Sequence, residues 1–422
     1  MRFIRRLKIL RNKIMNKIDK ILEQELEKIN PGEIELARIK KETREIIEKL
    51  EKSLRGKKIK ASVFLGGSLA KGTLIKKKNY DIDIFVRFSE NKDISEKLGK
   101  LIKATRIHGS RDYFHLNKGN LLFEIIPVLK ISKPEDARNI TDLSYFHVNY
   151  VLNKIKKKPK IAGEIMLAKA FCYSQKCYGA ESYINGFSGY ALELLVSYYG
   201  SFLKFIEQVS RAREKIVIDP EKFYKNKQEI LNSVNESKLA SPIVFVDPTF
   251  KARNAVAALS QETFARFQEA SSRFLKKPSG KFFQENKIDE KKFNLIIELA
   301  TNKQEGDIAG SKLLKFSRFL ARNFEKYFNI KSKDFEYSGE KDGRFYLKID
   351  RKKEIIYPGP PVNKPERLLS FKQAHKQVFI KQGKSFAKEK SLAFSDFWRK
   401  FLIDNKKIMK DMGITRLRVI KK

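Results

Sequence analysis

Apolar residues recur every three to four positions over residues 3–29 and again over 33–54. This spacing predicts two amphipathic helices, separated by the stop and restart of Asn30-Pro31-Gly32. The period then shortens. Ala61-Ser62-Val63-Phe64-Leu65 reads as a strand entering a glycine-rich turn, Ile82 to Phe88 as a second strand, and Leu121 to Leu129 as a third. Helices followed by strands within about 130 residues predict a compact head domain of α+β type. Lys156-Lys157-Lys158-Pro159-Lys160 is a break that resists packing. Residues 160–208 are expected to be helical, with Ile165, Leu167, Ala168 and Phe171 on one stripe. Tyr190 to Tyr199 is apolar nearly all round and predicts a helix inside a core. Residues 251–276 predict a further helix. From about 303 a mixed segment follows, with a helix over 309–326, short strands around 335–357 and a loop at Tyr357-Pro358-Gly359-Pro360-Pro361. No internal repeat is visible. The whole reads as an α+β multidomain chain.

Length and charge sharpen this picture. A chain of 422 residues exceeds one ordinary core, and 41% hydrophobic with 11% aromatic content suffices for packed domains. Ninety Lys plus Arg against 50 Asp plus Glu give a net charge of +40. Such a field attracts polyanions, nucleic acid first among them. Residues 386–422 carry eleven Lys or Arg, four acidic residues and the single tryptophan, Trp398. No apolar leader follows the basic start, and no apolar run reaches the roughly 18 residues of a spanning helix. Cys172 and Cys177, without companion ligands, read as reduced core thiols of a cytoplasmic protein.

The second strand carries the candidate chemistry. Alternation puts Asp81 and Asp83 on one face, about 7 Å apart or less, with Ile82, Ile84 and Val86 on the other. Paired carboxylates of this kind suit Mg2+. Just upstream, Gly66-Gly67-Ser68-Leu69-Ala70-Lys71-Gly72-Thr73 follows a strand and opens a helical turn, where backbone N–H groups, Ser68 and Lys71 can cradle phosphates. It is not a Walker A loop. Glu124, a charge set within the apolar run Leu121 to Pro127, supplies a third carboxylate. A phosphate cradle beside three carboxylates fits two-metal phosphoryl or nucleotidyl transfer. Gly186-Phe187-Ser188-Gly189 lacks the glycine at 190 of a hydrolase elbow, and close helix packing would explain its glycines. His108 and His375 read as surface residues.

These motifs, Gly66 to Thr73, Tyr80-Asp81-Ile82-Asp83-Ile84-Phe85 and Phe123-Glu124-Ile125-Ile126-Pro127, resemble the polymerase-beta-type nucleotidyltransferase signature. The following segments, Ser144-Tyr145-Phe146-His147, Leu167 to Phe171, Tyr178-Gly179-Ala180-Glu181, Gly186 to Tyr190, Asp247-Pro248 and Arg253 to Ala257, resemble the class I (archaeal-type) CCA-adding tRNA nucleotidyltransferases. The resemblance is specific from about residue 60 to 260. It implies a nucleotidyltransferase head over 1–145, a helical neck over 146–265, a body of 266–302 with 386–422, and a tRNA-binding tail over 303–385. It implies template-independent addition of C, C and A to tRNA 3′ ends from CTP and ATP, with two Mg2+ ions and release of pyrophosphate. Asp81, Asp83 and Glu124 would hold the metals, and Glu124 would position or deprotonate the primer hydroxyl. Ser68 and Lys71 would hold the triphosphate; His147, Lys169 and Tyr178 would meet triphosphate or sugar; Ser144 would lie near the nucleotide and Arg253 would face the base. His115 lies where the family places polar contacts to the sugar. The chain departs from the family in Glu124, usually Asp, and in Lys71, commonly Arg. Partners would be the tRNA acceptor stem and 3′ end, with no membrane, and a homodimer is left open. A poly(A) or oligoadenylate-type polymerase is the rival enzyme, and an RNA-binding protein with a degenerate transferase head the non-enzyme alternative.

Overall fold

A computed structural model describes residues 2–421 except Asn91, Ser110, Asn235 and Asn286, and leaves aside the side chains of residues 2–13 and 236–237. The chain forms two compact units, one of residues 1–180 with 184–286, the other of 181–183 with 287–422.

The first unit opens with α1 (Arg2–Ile29) and α2 (Glu33–Gly56). Between them Gly32 takes φ +81° and its N–H donates to the Asn30 side chain. The five-stranded head sheet follows: β1 (Ala61–Leu65), α3 (Gly67–Lys71), β2 (Tyr80–Phe88), α4 (Ile94–Gly99), β3 (Thr105–Ile107), β4 (Tyr113–Lys118) and β5 (Leu121–Leu129). The strands run in the order β1-β2-β5-β4-β3. Only β2 and β5 pair in parallel. The strands β3 and β4 were not expected: they are short, and β4 is half polar, so neither shows a clean apolar period. Helix α2 lays Ile39, Leu50 and Leu54 on the face built from Ile82, Ile84, Phe123 and Ile125. Helix α1 instead packs Ile18 and Leu22 into the helical layer.

That layer contains α5 (Ser144–Lys157), α6 (Ile161–Ser174), α7 (Gly189–Tyr199) and α8 (Phe202–Ser210). The basic break at 158–160 separates α5 from α6 inside the same unit. Helix α6 buries more than the expected stripe: Met166, Lys169, Ala170 and Cys172 are enclosed as well. Residues 175–188 are not helical. Gly179 N–H donates to Phe187 O and Phe187 N–H to Cys177 O, each at 2.8 Å. A Cβ on Gly186 would lie 2.2 Å from the Cys177 carbonyl oxygen, so that glycine serves a loop closure rather than helix packing. Next come β6 (Ile216–Ile218), α9 (Lys227–Ser233), α10 (Glu236–Leu239), β7 (Ile243–Asp247), β8 (Phe250–Asn254) and α11 (Gln261–Lys276). The strands form a small sheet in the order β6-β7-β8. The helix expected from 251 therefore begins ten residues later, and Arg253 lies in a strand.

The second unit contains β9 (Leu295–Thr301), α12 (Asp307–Tyr327), β10 (Phe328–Tyr337), β11 (Asp342–Arg351), β12 (Glu354–Pro361), α13 (Pro365–Ala374), β13 (Val378–Lys381), β14 (Lys384–Lys390), α14 (Phe394–Asp404), α15 (Lys406–Asp411) and β15 (Ile414–Lys421). A sheet β10-β11-β9-β15 packs against α12 and α14 through Leu299, Leu313, Phe316, Phe324, Phe397 and Phe401. The expected loop at 357–361 is the end of β12, with Pro358 opposite Phe386 and a register break before Pro361. Edge position in the sheet β12-β14-β13 tolerates proline, because the missing N–H costs no ladder bond. His375 is half-buried rather than superficial, its ring 4.4 Å from that of Phe371 and its Nδ1 2.7 Å from Glu389. His108 is exposed and bonds Asp112. No described helix is long and apolar enough to cross a membrane.

Candidate active site

Strand alternation delivers the carboxylates as the sequence implies. Tyr80, Ile82, Ile84, Val86 and Phe88 are buried in the head core, and Asp81 and Asp83 leave the opposite face of β2. The parallel register sets Asp83 directly opposite Glu124 on β5, and the antiparallel register of β4 sets His115 opposite Glu124 in turn. Three adjacent strands thus present Asp83, Glu124 and His115 in one row, with His115 Nε2 3.0 Å from Glu124 Oε1. Lys77 Nζ lies 4.0 Å from Asp81 and over the rings of Tyr173 and Tyr178. Glu124 stands on the central strand of the sheet, its side chain half-buried.

The electrostatics record this crowding of negative charge. Burial, then the Glu124 and Asp81 carboxylates, push Asp83 up to about 7, against the pull of Lys71 and Lys169. Asp81 is raised by burial too, with Lys77 opposing and Glu124 reinforcing. Gly67, at φ +60°, closes over Asp83: a Cβ there would stand 1.8 Å from Asp83 Oδ2. The Gly66 N–H donates to the Asp83 carbonyl at 2.8 Å, so loop and strand are tied. Among the described residues no group of three or more His, Cys, Asp or Glu is drawn together as a ready metal cage. The donor set nevertheless fits a hard divalent ion: all-oxygen carboxylates on paired strands, whose mutual repulsion a cation would relieve.

The phosphate loop holds a surprise. Ser68 lies in the first turn of the short helix α3, as expected, but Lys71 turns inward and is only 8% exposed. Its Nζ donates to Glu193 at 2.6 Å. Lys169, on α6, donates to the same carboxylate and to Thr73 Oγ1, each at 2.8 Å, and the Thr73 hydroxyl donates to Glu193 at 3.3 Å. Burial alone would raise Glu193, yet Lys169 and Lys71 hold it below its ordinary value. Glu193 escaped the sequence analysis because it sits in an apolar helix 122 residues from Lys71.

A second carboxylate, which the sequence offered only within a family segment and with no role, organises the remaining candidates. Asp247, at the end of β7 and fully buried, accepts from Arg253, from Tyr190 Oη at 3.1 Å and from the Thr249 hydroxyl at 2.8 Å, with His147 Nε2 at 3.2 Å. His147 stacks on Tyr190 at 4.1 Å. Burial opposes its charge, but His147, Arg253 and the Thr249 N–H together hold Asp247 far below the usual carboxylate range. Burial lowers His147, Asp247 partly offsetting it, and Lys71 is among the charges it feels. Ser144 lies one turn before His147 on α5, which packs on α3. Tyr178 is held in the loop by its bridge to Phe187, its hydroxyl against Gly189. The structure therefore groups Asp81, Asp83 and Glu124 with His115, Lys71 and Lys169 with Glu193, and His147 and Arg253 with Asp247.

Residues 40–166 match the family described as nucleotidyltransferase domain, and residues 163–284 that described as tRNA nucleotidyltransferase, second domain. The CCA-adding enzyme of Nanoarchaeum equitans is 34% identical over 335 residues, covering 76% of this chain and 81% of that protein. The chain belongs to the archaeal-type CCA-adding tRNA nucleotidyltransferases. The CCA-adding enzyme of Methanocaldococcus jannaschii is 28% identical over 404 residues, 88% of this chain and 87% of that one. Among solved structures, the Cid1 RNA terminal uridylyl transferase aligns with a TM-score of 0.50 at 14% identity, over 64% of this chain and 98% of that one. That likeness places the fold among polymerase-beta-like nucleotidyltransferases and carries no substrate.

Proposed function

We propose that this enzyme adds CCA to tRNA 3′ ends from CTP and ATP without a nucleic-acid template, releasing pyrophosphate. The observation that carries the chemistry is the register of Asp83 against Glu124, beside Asp81 and under Gly67. Asp81, Asp83 and Glu124 would hold two divalent ions, Mg2+ in our reading, which supply charge stabilisation to the attacking and leaving oxygens. The protein's own steps are binding, orientation and proton handling. The primer 3′-oxygen bonds to the α-phosphorus as the bond to pyrophosphate breaks. Glu124, steadied by His115, positions that hydroxyl and receives its proton. Ser68 and the loop N–H groups meet the triphosphate, with Lys71 and Lys169 supplying positive charge from beneath. His147, Tyr178 and Ser144 line the sugar and phosphate side. Arg253, fixed by Asp247, faces the incoming base with its remaining donors.

We assign residues 1–145 as head, 146–265 as neck, 266–302 with 386–422 as body and 303–385 as tail. Lysines of the basic C-terminal half would meet acceptor-stem phosphates, giving affinity by shape and charge rather than base identity. We place the enzyme in the cytoplasm. The test supplies tRNA lacking CCA with CTP, ATP and Mg2+, and sequences the products. Ends completed to CCA are expected, and lost in Asp83→Ala. Homopolymer tails would instead make this a poly(A)-type polymerase.

A further inference from the structure

The four-membered cluster of Lys71, Thr73, Lys169 and Glu193 is closed on itself. One carboxylate oxygen of Glu193 takes Lys71, the other takes Lys169 and Thr73, and Thr73 accepts from Lys169. The Lys71, Lys169 and Glu193 side chains are 8%, 3% and 1% exposed. Gly189 lies one turn before Glu193 on the same face of α7, and a Cβ there would crowd the Tyr178 hydroxyl at 2.9 Å while only touching the Lys169 stem. Two ammonium groups enclosed side by side repel each other, and a buried lysine without a counter-charge sheds its proton. Glu193 offsets both in part, although burial still holds Lys169 below its ordinary value, and leaves one net positive charge beneath the phosphate loop. Charge also reaches the cluster from Lys77, and Asp83 and His147 feel its lysines.

We infer that Glu193 is a positioning residue for the incoming nucleotide, which holds Lys71 and Lys169 and their positive charge beneath the phosphate loop without touching substrate itself. The inference rests on the proposed attraction of those two lysines for the triphosphate. Burial costs such a cluster more than it returns in stability when apolar packing could replace it, so a functional reason for its presence is physically apt. Without the carboxylate, Lys169 faces Lys71 and Lys77 with only the uncharged Thr73 hydroxyl and Thr73 carbonyl to accept from it. Its charge is then lost as pH rises, and the triphosphate loses a charge-assisted partner.

Steady-state kinetics of CTP and ATP addition, with a thermal melt of each variant, test this. Lys71→Met and Lys169→Met should each raise KM; if neither does, the lysines do not hold the triphosphate and the underlying contact fails. With that contact standing, Glu193→Gln should raise KM roughly tenfold while kcat falls less than about threefold, as for one charge-assisted partner lost. That KM should climb further between about pH 7 and 9 while the wild-type value stays level, because the unpaired lysine deprotonates. Glu193→Asp keeps the charge but is one methylene too short to hold both lysines, so it should raise KM by about threefold, less than Gln does, with a pH profile that stays level. An unchanged or lower KM in Glu193→Gln, or a KM whose pH profile follows wild type, overturns the inference. Should Gln prevent folding, Glu193→Asp decides alone: a raised KM supports the role, and an unaltered KM overturns it.

Discussion

Replacing Gly67 by alanine should damage catalysis far more than folding. The added Cβ would stand 1.8 Å from Asp83 Oδ2 and 2.7 Å from its Cγ. An ordinary non-bonded approach is above 3 Å, so the carboxyl must retreat by more than about 1 Å. The backbone cannot relieve this easily, because Gly66 N–H is bonded to the Asp83 carbonyl. Alanine at φ +60° costs about 1 kcal/mol, and driving Asp83 off its rotamer about another 1 kcal/mol. Stability should therefore fall by roughly 2 kcal/mol, which a domain of this size survives. Misplacing a catalytic group by 1 Å costs on the order of 100-fold in rate. Single-turnover CMP addition to tRNA lacking CCA, with urea melts in parallel, measures both effects. Gly119→Ala is the control: φ is +61° but no atom lies within 4 Å of the new Cβ, so it pays the backbone cost alone. A Gly67→Ala enzyme within threefold of wild type, or a Gly119→Ala enzyme equally slow, would refute the reasoning.

Three further outcomes follow from the same geometry. Asp83 sits near 7 in the folded protein against an ordinary 3.8, so between about pH 4 and 7 the native state holds a proton the unfolded state releases. In chelator, this group's contribution to stability should decline as pH rises through that window and level off above it; Asp83→Asn should erase that slope in urea melts. Asp247→Asn strips the counter-charge from Arg253 and His147, and should cost about 3 kcal/mol by denaturant melts as well as raise misincorporation in sequenced products. The charge of +40 predicts tRNA affinity that falls by about 1,000-fold between 50 and 200 mM salt, by filter binding, if six or more phosphates are met.

What the sequence made legible is what local rules govern. Two-residue alternation put Asp81 and Asp83 on one face, and a lone charge in an apolar strand marked Glu124. The glycine-rich turn was legible as a phosphate cradle, but the close approach of Gly67 to Asp83 was not. What stayed hidden depends on distant partners. Residues 251–276 read as one helix, yet the Asn254 side chain accepts from Phe245 N–H and Val256 N–H and donates to the carbonyls of Ile243 and Lys238. Those bonds fix a strand end that no single-segment pattern contains. Glu193 and Asp247 were likewise invisible as site residues, since the cations that make them bearable in a core arrive from other elements. Lys71 was legible as a charge beside phosphates, but its inward turn was not.

The parallel pairing of β2 with β5 carries a temporal meaning. Strands that pair in parallel must be joined by a long detour, here residues 89–120, so Asp83 and Glu124 meet only after the chain has left the sheet and returned. Non-local pairings of this kind form late. Lys71 waits longer still for Glu193, and His147 for Asp247. A nascent or truncated chain ending before β8 can fold strands and helices, but it holds neither Arg253 nor a complete set of buried counter-charges. On the proposed roles, turnover would therefore also report that the first unit has closed as far as β8.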